Sequence, residues 1–274
     1  MKPLQVMRIA GIVSLIGLFT VHSFIAVTHK NAKGRGISNV NNNQYKTSNV
    51  KADSILESLD SYADAKLVEK FVAVRDVGDV FCISTDQESK RHVLLFHGAL
   101  RSSEVWQETK TLQILSKAGY HAVAVDLPAA GKTPRLRRRA THQYQTGPTD
   151  FTYQLVSTLE LNKPVLVSAG SSGKFSVRFV QLYPENVTGF VAVSASIGET
   201  YFAKEEDFTT CSVPTLSIYG DMDTGGVYKD ELYKLMPNSQ TKVIKNAKYE
   251  CYLDNPELFH KYLLEYLENL DWPE

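Results

Sequence analysis

The chain has 274 residues, 43% of them hydrophobic, and its 30 basic and 30 acidic side chains cancel to a formal charge of zero. That length suits one domain of roughly 200–250 residues plus an appendage, and the neutral balance gives no electrostatic ground for a nucleic-acid partner. Cys82, Cys211 and Cys251 lie far apart without metal-ligand or CxxC spacing, so neither a metal nor a cofactor is expected from them.

Residues 1–8 form a short tail carrying Lys2 and Arg8. Residues 9–28 follow as an apolar run whose first nineteen residues hold no Asp, Glu, Lys or Arg. A helix of that length crosses about 30 Å of hydrocarbon. It reads as a signal anchor rather than a cleaved signal peptide, because a cleaved peptide has an apolar region of about 7–15 residues and a small-residue cleavage site. A buried globular helix fits less well, since the run lacks amphipathic alternation. The expectation from the residues is a single-pass membrane protein. Its orientation is left open by the flanking charges: Lys30, Lys33 and Arg35 slightly outnumber the two upstream. Asn186-Val187-Thr188 is a glycosylation sequon, usable only on the lumenal side.

Residues 29–66 are polar, with an Asn-rich patch at 39–43, and read as a flexible linker. A globular domain is expected over 67–274. Strands are expected at 68–74, 80–84, 91–96, 122–126, 164–168, 187–193, 215–219 and 241–244. Helices are expected at 104–118, 150–161, 229–235 and 256–267, with another following the turn at 170–173. Apolar strands alternating with helices give an α/β fold with a mainly parallel sheet covered on both faces. Ligands in such sheets sit at the carboxyl ends of the strands. The loop at 127–148 carries Arg135, Arg137, Arg138 and Arg139; runs of this kind are mostly solvated faces.

Three stretches converge at those carboxyl ends. The run from Pro164 to Phe179 reads as strand, small-residue turn and helix, the context of a nucleophile elbow. One register, Ala169-Gly170-Ser171-Ser172-Gly173, offers Ser171 as nucleophile. The other puts Gly170 at the tip and offers none. His97-Gly98-Ala99 follows the third strand, where an oxyanion donor belongs; Ala99 N–H and the amide after the elbow tip, that of Ser171, are the candidate donors. Tyr219-Gly220-Asp221-Met222-Asp223 ends another strand and offers Asp223 as the orienting acid, although aspartates also occupy turns for local reasons. The base is missing from 245–252, where a triad histidine belongs. His260 is expected on the surface of the closing helix. Tyr249, with an ordinary pKa of about 10, is a poor base, and Lys248 would need burial to serve.

The domain from about residue 93 resembles the α/β-hydrolase domain-containing protein 14 family. The matching stretches are Leu94-Leu95-Phe96-His97-Gly98, Ser103-Glu104-Val105-Trp106-Gln107, residues 119–128, Tyr219-Gly220-Asp221-Met222-Asp223 and Cys251-Tyr252-Leu253-Asp254. The resemblance implies an α/β-hydrolase fold of serine hydrolase or acyltransferase ancestry. It also implies the protein-lysine deacetylation of the soluble branch, with coenzyme A as acyl acceptor, and the single-pass, type II N-terminal anchor of the membrane-bound branch. The family elbow Ser-Pro-Ser-Leu-Ser-Gly falls on residues 168–173, which places the family nucleophile on Gly170. The family histidine falls on Tyr249, and the family acid on Asp223. The expectation is a membrane-anchored pseudoenzyme that binds a small acyl-type ligand or a protein partner. The alternatives are an active esterase-like or deacylase-like enzyme using Ser171, and a purely structural interaction domain.

Overall fold

The computed structural model describes residues 65–75, 77–136, 147–197 and 205–274. The expected anchor, nearly all of the linker and Arg137–Arg139 lie outside them. Among the described residues no helix is long and apolar enough to cross a membrane.

Eight strands form one sheet in the order β1-β2-β4-β3-β5-β6-β7-β8. They are β1 (Leu67–Val74), β2 (Gly78–Thr85), β3 (His92–Phe96), β4 (His121–Val125), β5 (Val165–Ala169), β6 (Gly189–Val193), β7 (Thr215–Gly220) and β8 (Ser239–Ile244). β2 runs antiparallel to both neighbours. From β4 across to β8 every pair is parallel. The central strands read as unbroken apolar runs because both sheet faces are covered. Successive side chains point to opposite faces, so Val93 and Leu95 join one core cluster while Leu94 and Phe96 join the other.

The helices are α1 (Glu104–Glu108), α2 (Thr111–Lys117), α3 (Pro148–Thr158), α4 (Gly173–Leu182), α5 (Glu205–Thr209), α6 (Thr224–Tyr233), α7 (Cys251–Asp254) and α8 (Pro256–Glu268). The single helix expected over 104–118 is two. Lys110 between them has φ +59°, and the Thr109 hydroxyl bonds both Val105 O and Thr111 Oγ1 at 2.8 Å. Side-chain bonds of that kind compete with the helix ladder. The helix expected from 229 begins earlier, because Asp223 caps it: its carboxylate accepts the Gly225 N–H at 3.0 Å.

His260 is a correction. It is 2% exposed, not on the surface of α8. Its Nε2 lies 2.9 Å from Thr111 Oγ1. The closing helix packs against the core through Phe259, Leu263, Leu264 and Leu267, and His260 is carried inside beside them.

Candidate active site

β5 is buried along its whole length and delivers the chain to a turn at Gly170–Ser172 before α4. Gly170 has φ +54°, a conformation that costs any residue with a Cβ about 1–2 kcal/mol. This is the strained tip of an elbow, and Gly170 occupies it. Of the two registers, positive φ at Gly170 matches the one that puts Gly170 at the tip. Ser171 follows the tip by one residue and is partly exposed. A Cβ on Gly170 would overlap the Tyr249 hydroxyl and lie 2.7 Å from its Cζ and 3.0 Å from its Cε1.

The small residues around the tip are there for close approach. A Cβ on Gly173 would overlap the Ser196 carbonyl oxygen and lie 2.9 Å from Ser196 N. Ser196 N–H donates to Gly170 O at 2.8 Å. The other elbow serines are committed inside. Ser168 Oγ donates to Ser176 Oγ at 2.7 Å, and Ser172 Oγ to Ala169 O at 2.8 Å.

Asp223 arrives at the end of β7 and is 9% exposed. One oxygen caps α6. The other, Oδ2, is buried with no hydrogen-bond partner. A charged neighbour stands 4.0 Å away, Lys229 Nζ, from further along α6. That ammonium also donates to Ser194 O at 3.0 Å and lies 4.9 Å from the centre of the Tyr249 ring. Burial pulls the Lys229 amine below its usual value, with Asp223 opposing. Nothing in the sequence sets Lys229 apart from the other lysines; only the fold brings it to the acid.

The loop after β8 is held to the acid turn by backbone. Asn246 N–H donates to Asp221 Oδ1 at 2.7 Å, and Met222 N–H to Ala247 O at 2.9 Å. Tyr249 follows, 37% exposed. Its phenol is pushed above its usual value, first by burial and then by Asp223 and Glu250; the Ser171 backbone amide, facing the phenol oxygen, works the other way. A phenol so placed is neutral at ordinary pH and cannot take a proton from a nucleophile.

Among the described residues no histidine supplies the missing base. His97 is buried, with Nδ1 2.8 Å from Gly98 O and Nε2 accepting the Leu127 N–H at 3.0 Å. His92 and His121 face each other through Nδ1 at 2.9 Å, at the opposite end of their strands. His260 is held by Thr111.

On the oxyanion side, Gly98 is buried and Ala99 exposed after β3. A Cβ on Gly98 would lie 3.7 Å from both Ala169 O and the Tyr252 hydroxyl. Arg101, from the same loop, makes a two-pronged pair with Glu250 at 2.9 and 2.8 Å, tying this side to the Tyr249 loop. A depression of about 470 Å³ beside it is lined by Leu100, Arg101, Val105, Glu108 and Ala129 to Gly131. Among the described residues no cluster of His, Cys, Asp and Glu could hold a metal ion. Asn186 is partly exposed, while the Thr188 hydroxyl of its sequon donates to Lys163 O at 2.6 Å.

The profile of the alpha/beta hydrolase fold family matches residues 91–208. ABHD14B of Homo sapiens, named for a protein-lysine deacylase activity, is 36% identical over 183 residues, which are 67% of this chain and 86% of that protein. ABHD14A of Rattus norvegicus is 33% identical over 186 residues, 67% of this chain and 74% of that protein. Among solved structures, a CIB-like hydrolase from Thermoplasma acidophilum superposes with a TM-score of 0.66 at 22% identity, covering 75% of this chain and all of its own. The carboxylesterase CesB of Bacillus subtilis gives 0.63 at 16% identity, covering 81% and 98%.

Proposed function

The chain belongs to the ABHD14 family of α/β-hydrolase-fold proteins, and from that membership we propose that it is a pseudoenzyme, retaining the hydrolase scaffold without its acyl-transfer chemistry. The single observation that carries this reading is the elbow tip. Gly170 holds the strained backbone of a nucleophile position, has no side chain, and faces a tyrosine where the base belongs. A serine hydrolase needs a nucleophile, a base to take its proton and an acid to orient the base. Here only Asp223 survives, and its free oxygen has no imidazole to orient.

The ligand chemistry carried over from the family is acyl: an acylated amine of the kind named for ABHD14B, or another acyl compound, or a protein presenting one. Coenzyme A enters only by the same analogy. The apolar run at 9–28 supports a single-pass anchor beside this domain. Resistance of the full chain to alkaline extraction from membranes would bear that out; release into the soluble fraction would count against it.

The test of the central reading is hydrolysis of an activated acetate ester by the purified protein, beside Ser171→Ala. The expected result is no turnover above the uncatalysed rate in either. Turnover in the parent that disappears in Ser171→Ala would overturn the reading and establish an enzyme with a displaced nucleophile.

A further inference from the structure

We infer that Tyr249 is a built-in occupant of the acyl site: its phenol oxygen stands where a ligand's carbonyl oxygen would sit, beside the Ser171 amide and in the space vacated at Gly170. The inference rests on the pseudoenzyme reading for the identity of the site, and on geometry for the rest.

Four observations support it. A Cβ on Gly170 would overlap the phenol hydroxyl and lie 2.7 Å from Cζ, so a side chain at 170 and the tyrosine at 249 exclude each other as placed. The amide facing the phenol oxygen belongs to the residue after the elbow tip, the position of an oxyanion donor. The ring is held from one side by Lys229, itself fixed by Ser194 O and Asp223. The residue is nonetheless 37% exposed, so the ring reaches solvent and is not locked inside the core.

The charges around it indicate what can take its place. Asp223 is matched by Lys229, Glu250 by Arg101, and Asp221 by Lys245. Lys248, exposed next to Tyr249, and Asp254, whose carboxylate accepts the Lys248 N–H at 2.6 Å, add one charge of each sign, so the corner carries no net charge. An incoming anion would meet three carboxylates whose counterions are already taken. The competitor that fits is therefore a neutral oxygen acceptor on a flat group, an ester or amide carbonyl, and not a free carboxylate. Entry of such a ligand is coupled to displacement of one side chain.

The test uses the full chain and p-cresol, which reproduces the atoms of the tyrosine side chain. Tyr249→Ala should gain a saturable rise in melting temperature with p-cresol, absent in the parent and in Tyr249→Phe, where the ring remains. N-methylacetamide should raise it likewise, and acetate should not. Equal response of all three proteins to p-cresol would overturn the proposal, as would a stronger response to acetate than to the amide. Should Tyr249→Ala fail to fold, Tyr249→Val leaves a comparable opening.

A second readout needs no ligand. Gly170→Ala should lower the melting temperature at least twice as far in the parent as in the Tyr249→Ala or Tyr249→Val background. Equal losses in both would mean that strain at residue 170 alone is at work and that the ring does not fill the site. Ester hydrolysis measured on the same proteins keeps the two ideas apart. Turnover by the parent would sink the pseudoenzyme reading, whereas additive melting losses would sink the occupied site.

Discussion

The elbow turn and the acid turn end two strands of one sheet, and they have kept opposite things. The elbow has the backbone of a tip without a side chain on it: Gly170 sits at φ +54° and a Cβ on Gly173 would meet Ser196. The acid turn presents a side chain without a hydrogen-bond partner for one oxygen: Asp223 is buried, with Oδ2 unbonded and Lys229 4.0 Å away. The difference shows which features packing protects. A tip that carries strand into helix is demanded by the fold whether or not chemistry follows. A carboxylate that also caps a helix is demanded for the same reason. A nucleophile and a base have no structural duty, and on the proposed reading these are the two that are absent.

The strongest way to break this comparison is to attack the elbow's backbone. Gly173→Ala places a methyl on the Ser196 main chain, which cannot yield as a flexible side chain would. Urea unfolding should show a loss of about 3 kcal/mol; a loss under about 1 kcal/mol would mean the close approach is not required. Next comes restoration. Gly170→Ser combined with Tyr249→His should raise ester hydrolysis about 100-fold above the parent, equivalent to about 2.7 kcal/mol of barrier, while either change alone stays at background. If the double variant is silent, Asp223 or the oxyanion amides no longer lie where catalysis needs them.

A smaller effect is expected at the acid turn. Lys229→Met leaves Asp223 buried beside no cation and should cost about 1–2 kcal/mol, discounted because the lysine is partly solvated. Adding Asp223→Asn should recover part of that loss. No recovery would show that Lys229 contributes by packing on Tyr249 and not by charge.

Acid separates the scaffold from the site in a further way. Burial lowers His121 to about 4 and His260 to about 3. The unfolded chain takes up these protons near 6.5, so the stabilisation is complete above that pH and is lost as pH falls toward 4 and then 3. His260→Gln should flatten this limb of the stability curve, and an unchanged limb would relieve His260 of the role. The smallest effect belongs to Glu250, which its bond to Arg101 holds below the usual carboxylate range. Its contribution is present above the unfolded carboxylate pKa and disappears as pH falls through the folded one. The pair is partly exposed, so Glu250→Gln should cost under about 1 kcal/mol.

Much of this was legible in the sequence. The apolar runs at 91–96, 122–126 and 164–168 read as strands covered on both faces, and strands stand there at His92–Phe96, His121–Val125 and Val165–Ala169. The elbow was legible as strand, small residues and helix. Its register was not legible in the residues alone, since a tripeptide of Gly and Ser does not say which residue takes positive φ; only the family resemblance pointed to Gly170. The surface placement of His260 failed because the width of the buried face on a closing helix depends on α2, which lies far away in the chain. Lys229 left no trace in sequence, because its role comes from a tertiary approach to Asp223 and Tyr249.

The hairpin at the start of the domain has a mechanical consequence. β1 pairs with β2 from Leu67↔Thr85 at its open end to Val74↔Gly78 at the turn. A pull arriving through Lys66 therefore loads the ladder one rung at a time, like a zipper drawn from its end. The Lys66–Asp86 contacts part first, and β1 then has to leave both β2 and α3, which packs on it. The strands that lead to Gly170 and Asp223 lie beyond β2, β4 and β3, so tension entering at Lys66 meets the hairpin before it meets the site.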